Sequence, residues 1–155
     1  MSSVLSKELV EKVIEFHGHK CPGLALGIRA AEIALNEIGS HSKDEEVVAI
    51  VETDMCGVDA IQVLTGCTFG KGNLVFLDHG KVAFSFFNRA NNKKLRIKIN
   101  PKFSLIRDDM DKRYNEIMSS DLSALYLREE PPFEIPNKAR IMDSFICSSC
   151  EEKTK

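Results

Sequence analysis

Apolar residues recur at every third or fourth position in three segments of the chain, and this spacing predicts amphipathic helices. The first covers about residues 7–16 after a capping Ser6, and the second begins near Pro22 and ends before Gly39. The third covers about residues 57–65. The second has the clearest stripe, formed by Leu24, Ile28, Ala31, Leu35 and Ile38. We expect this helix to be the centre of the core.

Other segments have the pattern of strands. Residues 47–51 form a nearly continuous β-branched run, which is typical of a buried strand. Residues 74–77 and 82–87 flank a predicted tight turn at 78–81, and residues 95–99 alternate apolar with basic side chains. The order of these elements predicts an α+β fold, in which an antiparallel sheet has helices packed on one face.

The C-terminal third of the chain has a thinner apolar pattern. Residues 107–128 are charged and have a narrow apolar stripe, which predicts one or two helices covered by a second subunit. Prolines then indicate a linker before a short CxxC tail. We divide the chain into a core domain over residues 1–105, a helical extension over 106–130, and a linker with the CxxC tail over 131–155.

Composition excludes several classes of protein. The net charge of −2 over 155 residues gives no basic surface for nucleic acid or an anionic membrane. No apolar run approaches the roughly 18 residues that suggest a membrane span, and the N-terminus has no signal-peptide pattern. We therefore expect a cytoplasmic protein. In a reducing compartment, the five cysteines are expected to be thiols or metal ligands and not disulfides.

The strongest chemical signal is the alternation of His17, His19 and Cys21 just before the second helix. In an extended segment these three side chains point to the same side, and imidazole and thiolate are the ligands that zinc favours. Cys21 lies at the predicted helix start, where unpaired N–H groups and the helix dipole favour the thiolate. The pattern predicts a metal site or a reactive thiol, with ordinary packing as the alternative.

Two further cysteines lie around the third helix. Cys56 occupies the start of this helix and is expected to approach the same site. Cys67 follows the helix end, about 15 Å further along, so we assign it a nearby redox or substrate contact, with packing as the alternative.

Carboxylates lie at the same junction of strand and helix. Asp54 either caps the third helix or, as a carboxylate beside the site, orients a ligand histidine. Glu52 could act as a general base on a metal-bound water.

The tail pair, Cys147 and Cys150, has the spacing of a zinc knuckle, which supplies half of a four-ligand site. We expect ligands from another subunit or from elsewhere in the chain to complete it. The alternatives are a metal-free remnant and a thiol redox pair.

These residues together resemble a known family. The motifs are Phe16-His17-Gly18-His19-x-Cys21-Pro22-Gly23, Glu52-x-x-x-Cys56-x-x-Asp59-x-x-Gln62 and Thr65-Gly66-Cys67-Thr68-x-Gly70-x-Gly72-Asn73-Leu74. They resemble the FmdE-like family of formylmethanofuran dehydrogenase proteins over roughly residues 5–100. The resemblance implies an α+β core, a helical extension, a homodimer, a bound metal, and association with a molybdenum or tungsten oxidoreductase complex. The terminal CxxC resembles the start of the zinc ribbon that many members carry.

We therefore predict a metal-binding protein with a His/Cys site that is a candidate for catalysis. The metal is zinc, or another transition metal such as nickel or iron. The alternatives are an accessory subunit with a structural metal and a thiol redox protein. The candidate catalytic residues are Cys21, Cys56, Asp59 and Cys67, and the candidate metal ligands are His17, His19, Cys21, Cys56, Cys147 and Cys150.

Overall fold

The described part of the computed structural model, residues 5–104 and 108–155, confirms an α+β fold. Its helices are α1 (Lys7–His17), α2 (Pro22–Glu37), α3 (Gly57–Thr65), α4 (Met110–Ser119) and α5 (Leu122–Leu125). Its strands are β1 (Val47–Val51), β2 (Leu74–Phe76), β3 (Ala83–Asn88), β4 (Lys94–Ile99), β5 (Tyr126–Glu129), β6 (Phe145–Ile146) and β7 (Lys153–Thr154). Within these residues, no helix is both long and apolar enough to cross a membrane.

The main sheet is mixed, with strand order β2-β1-β3-β4-β5, so the prediction of a purely antiparallel sheet was wrong in part. Strands β1 and β2 are parallel, because α3 crosses over the sheet and returns the chain to the same end. The predicted hairpin at residues 78–81 was also wrong. This segment carries the chain from β2 past β1 to β3, which pairs antiparallel with the other side of β1.

The predicted packing of helices on one sheet face is confirmed. Alternate β1 residues, Val47, Ala49 and Val51, point to the same side as Phe84 and Phe86 of β3, and all five belong to the main core with α2. Helix α2 lies at the centre of this core, since eleven of its residues are buried. The opposite sheet face has a smaller apolar cluster.

The segment after β4 packs back onto the core. Helix α4 buries Tyr114 and Ile117, and the buried Arg29 of α2 donates from Nη1 to the Ile117 carbonyl at 3.2 Å. The narrow stripe predicted to need a second subunit is thus partly covered within one chain. Its predicted first residue, Arg107, lies outside the described residues.

Strand β5 was not predicted. It pairs with β4, and its Tyr126 hydroxyl donates to the Leu26 carbonyl of α2 at 2.7 Å. The strand therefore adds part of the predicted helical extension to the core sheet. The division of the chain into three parts remains a prediction.

Candidate metal centre

Helix α2 begins at the thiol of Cys21. Cys21 is the N-cap residue, and its Sγ accepts a hydrogen bond from the Leu24 N–H at 3.4 Å. Pro22 occupies the first helical turn, where no N–H is needed. The sequence-based prediction of this helix start is therefore confirmed. The sulfur lies beside unpaired N–H groups and is only 7% exposed, in a setting that favours negative charge.

Helix α3 brings a second cysteine to the same place. Cys56 lies at the N-cap of α3 and is half-buried. The two helices approach closely because glycines face each other where they cross. A Cβ on Gly27 would lie 2.2 Å from the Gly57 carbonyl oxygen, and one on Gly23 would lie 3.3 Å from the Cys56 Cβ. Side chains at these glycines would keep the two helix starts apart.

His17 completes a cluster of three donor atoms. It is the last residue of α1, and its Nε2 lies 3.9 Å from the Cys21 Sγ. The donor atoms of His17, Cys21 and Cys56 all lie within 4.8 Å of one another. Four-coordinate zinc, with Zn–S about 2.3 Å and Zn–N about 2.0–2.1 Å, places its ligand atoms roughly 3.6–3.8 Å apart. The cluster fits a zinc-sized ion after shifts of about an ångström or less.

Asp59 holds the histidine in place. It lies in the first turn of α3, and its Oδ2 is 2.7 Å from the His17 Nδ1. A carboxylate in this position favours the proton on Nδ1, which leaves the Nε2 lone pair facing the two sulfurs. Asp54, in contrast, does not cap α3, because Cys56 is the N-cap residue and makes no side-chain capping bond.

The two sulfurs affect each other. Burial raises the pKa of the Cys56 thiol, and hydrogen bonding and charge from Cys21 raise it further. Two thiolates in this space would repel each other, so an ion of opposite charge between them would favour ionisation of both.

His19 does not point into the cluster. The predicted extended segment is not formed, because His17 ends a helix and Gly18 turns the chain with a positive φ of 97°. His19 is exposed, and its ring centroid lies 4.6 Å from that of His17. Within the described residues, His19 belongs to no group of three metal-donor side chains.

Cys67 is separated from the cluster. It is fully buried, and its thiol donates to the Val47 carbonyl at 3.5 Å. Burial raises the pKa of Cys67 to about 11, so the neutral thiol dominates at neutral pH. These surroundings are those of a packed core thiol, and its catalytic role remains a prediction.

The tail cysteines lie on the β6–β7 hairpin. The Ser149 N–H donates to the Cys147 Sγ at 3.4 Å, and the Cys150 Sγ lies 3.8 Å from a Glu152 carboxylate oxygen. Hydrogen bonds from the backbone of Cys150 and Ser149 lower the pKa of the Cys147 thiol. Within the described residues, neither cysteine belongs to a group of three donors.

Glu52 lies on the wrong side of the sheet to act as a base at the cluster. It is buried, and its two carboxylate oxygens accept from Arg96 at 2.8 and 3.1 Å. His79 lies 2.9 Å from the same carboxylate. The expected general-base role of Glu52 was therefore wrong, since the last core-facing residue of β1 is Val51 and the next side chain points the other way.

The sequence reasoning missed Tyr114. Its ring lies under Lys20, with the ammonium 4.8 Å from the ring centroid. Burial raises the pKa of Tyr114, and the nearby charge of Cys21 adds to this effect. No sequence pattern could have linked Tyr114 with Cys21, because the two residues meet only when α4 packs on α2.

A pocket of about 460 Å³ opens beside the cluster. His17 and Cys56 form part of its wall, and so does Asp59. Its other walls include Met55, Val58, Phe69, Leu74 and Phe76. The arrangement joins three metal donors to a cavity large enough for a small organic molecule.

Comparisons with known proteins agree with the motifs. A probable S-adenosyl-L-methionine-binding protein from Archaeoglobus fulgidus is 41% identical over 97 residues, 59% of this chain, and the chain spans 26% of that protein's length. The crystal structure of a tungsten formylmethanofuran dehydrogenase FmdE-like protein from Syntrophus aciditrophicus matches with a TM-score of 0.72 and 26% identity, covering 96% of this chain and 84% of that chain. The family described as "FmdE, Molybdenum formylmethanofuran dehydrogenase operon" matches residues 16–145. Because this match covers most of the chain, the protein belongs to the FmdE family.

Proposed function

We propose that this protein binds a single transition-metal ion, zinc in the first instance, through His17 Nε2, Cys21 Sγ and Cys56 Sγ, and that the site is catalytic. The observation that carries the proposal is a set of three donors beside an open pocket. Structural zinc has four protein ligands, whereas catalytic zinc has three and leaves one position for water or substrate. The pocket lies where that position would open.

The chain's own residues account for ligand control. Asp59 keeps the His17 proton on Nδ1, and the starts of α2 and α3 favour negative charge on the two sulfurs. A zinc ion bound there would supply a redox-inert Lewis acid. The apolar pocket walls limit the access of water to the site.

A closed, structural site is the main alternative. His19 is the candidate that could close it, because its ring already contacts that of His17. Rotation of His19 into the fourth position would favour an accessory subunit with a structural metal. Nickel and iron remain alternatives to zinc, since imidazole and thiolate also bind them.

Thiol redox chemistry is a second candidate function. The specific observation in its favour is the proximity of the Cys21 and Cys56 sulfurs, which affects the pKa of Cys56. In that function an external disulfide would oxidise the pair, and metal binding would protect it.

The expected partners also belong to this proposal. We propose a cytoplasmic homodimer that associates with a larger oxidoreductase complex, which fits the operon in the family's description. Exposed apolar residues on the tail, Ile141, Met142, Phe145 and Ile146, supply a surface for such contacts. Light scattering should give about twice the 17.3 kDa chain mass. A monomer at all concentrations would contradict the homodimer.

Metal analysis tests the central proposal. The full chain is loaded with zinc, nickel or iron, and bound metal is measured beside Cys21→Ser, Cys67→Ala and the double variant Cys147→Ser/Cys150→Ser. We expect Cys21→Ser to lose the core metal, because a serine hydroxyl is a poor ligand for soft metals at neutral pH. Cys67→Ala should retain it. Loss of a further fraction in the double variant would assign metal to the tail.

X-ray absorption on the zinc-loaded double variant then separates an open from a closed site. Two sulfurs, one imidazole and one light atom that exchanges with added ligand support the catalytic assignment. Two imidazoles, one of them lost in His19→Ala, would support the structural alternative. Full metal retention by Cys21→Ser would overturn the site itself.

A further inference from the structure

We propose that the pocket beside the metal centre selects a neutral or cationic small molecule with an apolar, ring-containing body and rejects anions such as carboxylates and phosphates. This inference rests on the proposed function in one respect, since it names the substrate class of the same site. It is carried by the side chains of the pocket wall and not by the metal.

The charged side chains of the pocket are acidic. Asp54 and Asp59 both line it, and among the described lining residues no lysine or arginine balances them. His17 is the remaining ionisable group beside Cys56, and Asp59 already uses its Nδ1. An anionic ligand would therefore meet two carboxylates without a cationic partner, which opposes its binding.

Zinc would not reverse this balance. In the proposed site, the two positive charges of the ion are offset by the two thiolates of Cys21 and Cys56. The carboxylates therefore set the net charge of the pocket with or without the ion. The charge of the pocket can be tested on metal-free protein for this reason.

The remaining wall is apolar and has exposed side chains at its edge. Phe69 is 75% exposed, Met55 66% and Phe76 40%, and all three border the pocket. Exposed aromatic and methionine side chains around a cavity gain contacts when an apolar ligand covers them, and methionine adapts to varied shapes. Phenylalanine faces also attract cations. The wall therefore favours a ring system that carries a positive charge or none.

Three probes with the same ring test the inference: 2-naphthylmethylamine, 2-naphthylmethanol and 2-naphthoate, which are cationic, neutral and anionic at pH 7. Each is titrated into the metal-free full chain, and binding is followed by calorimetry. We expect the amine to bind at least about ten-fold more tightly than the naphthoate, with the alcohol between them. Asp54→Asn should reduce this ratio, whereas the matched control Asp78→Asn, at an exposed residue outside the pocket, should leave it unchanged.

Phe69→Ala should weaken the binding of all three probes and keep their order. Equal or tighter binding of the naphthoate would overturn the inference, and so would the absence of binding by all three probes. Because no metal is present, these outcomes are independent of the metal analysis. A chain that binds no zinc but ranks the probes as expected would lose the proposed metal function and keep the pocket assignment.

Discussion

The direction of one imidazole decides whether His17 can serve as a ligand. The ring has two nitrogens, and the 2.7 Å contact with Asp59 occupies Nδ1. The other nitrogen faces Cys21 at 3.9 Å. Asp59 therefore acts through His17, as a positioning residue whose carboxylate fixes both the ring and its proton.

Asp59→Asn tests this positioning role. The amide has nearly the same size but cannot accept the Nδ1 proton with a full negative charge. We expect zinc affinity to fall about 10- to 100-fold, as for other partners of metal-bound histidines. Competition with a chromophoric chelator at pH 7 measures the change.

Asp54→Asn is the matched control for zinc binding, because Asp54 lines the same pocket. Its zinc affinity should remain within about two-fold of wild type, given that screened charges at an exposed position interact weakly. Equal losses in the two variants would show that pocket charge, and not the contact with His17, controls binding.

At the scale of elements, the crossing of α2 and α3 sets the distance between the two cysteines. Both helices start with a cysteine, and both have a glycine at the point of closest approach. The ligand geometry is thus fixed by backbone packing some way inside each helix. A change at the crossing should affect the metal site without altering any ligand.

Gly27→Ala should separate the two helices. The added methyl group would lie 2.4 Å from the Gly57 Cα, and overpacking of this kind costs about 1–3 kcal/mol of unfolding free energy. We expect both a lower urea midpoint and weaker zinc binding. The control is Gly70→Ala, where a Cβ meets nothing within 4 Å. Unchanged zinc affinity in Gly27→Ala would show that the crossing does not set the site.

The sequence predicted local elements better than their arrangement. Helices α1, α2 and α3 follow from periodicity and capping residues, which are local properties. The parallel pairing of β1 with β2 was missed, because it depends on how α3 crosses the sheet. The four residues of β5 follow α5 directly and have no turn signal.

The site was predicted with the same limit. The helix start predicted a role for Cys21, and the start of the next helix predicted one for Cys56. The direction of His19 could not be predicted, because it depends on where α1 ends and how Gly18 turns the chain. The packing of Cys67 against Val47 is likewise a tertiary contact.

At the scale of the whole molecule, an ionic network links distant strands on the sheet face away from the metal centre. Arg96 of β4 joins Glu52, which follows β1, to Glu129 of β5. Lys98 adds a contact to Glu129 at 2.8 Å. Burial opposes the ionisation of Glu52, but hydrogen bonds from Arg96 and His79 outweigh it and lower its pKa.

This network predicts sensitivity to acid. Because the pKa of Glu52 is lower in the folded state, its ionised form stabilises the fold above the unfolded value of about 4.3, and this stabilisation is lost as pH falls through the folded value. Glu52→Gln should lose roughly 3 kcal/mol at pH 7, since it leaves a buried arginine incompletely paired. It should also lose less stability than wild type between pH 5 and pH 3. Urea unfolding at a series of pH values measures both effects.

Glu11→Gln is the control for the acid prediction. Glu11 forms an exposed pair with Lys7 at 4.0 Å, and such pairs contribute less than about 1 kcal/mol. Its pH profile should match that of wild type. A Glu52→Gln profile parallel to that of wild type below pH 5 would contradict the role of Glu52.

Cys21 and Cys56 lie about 35 residues apart in the chain. An ion held by both would act as a removable cross-link, and the chain-entropy model gives a loop of this length roughly 4 kcal/mol of stability. Unlike a disulfide, this link would persist under reducing conditions and would open when the free metal concentration falls. Zinc supply would then control how long the protein survives proteases in the cell, separately from any effect on its chemistry.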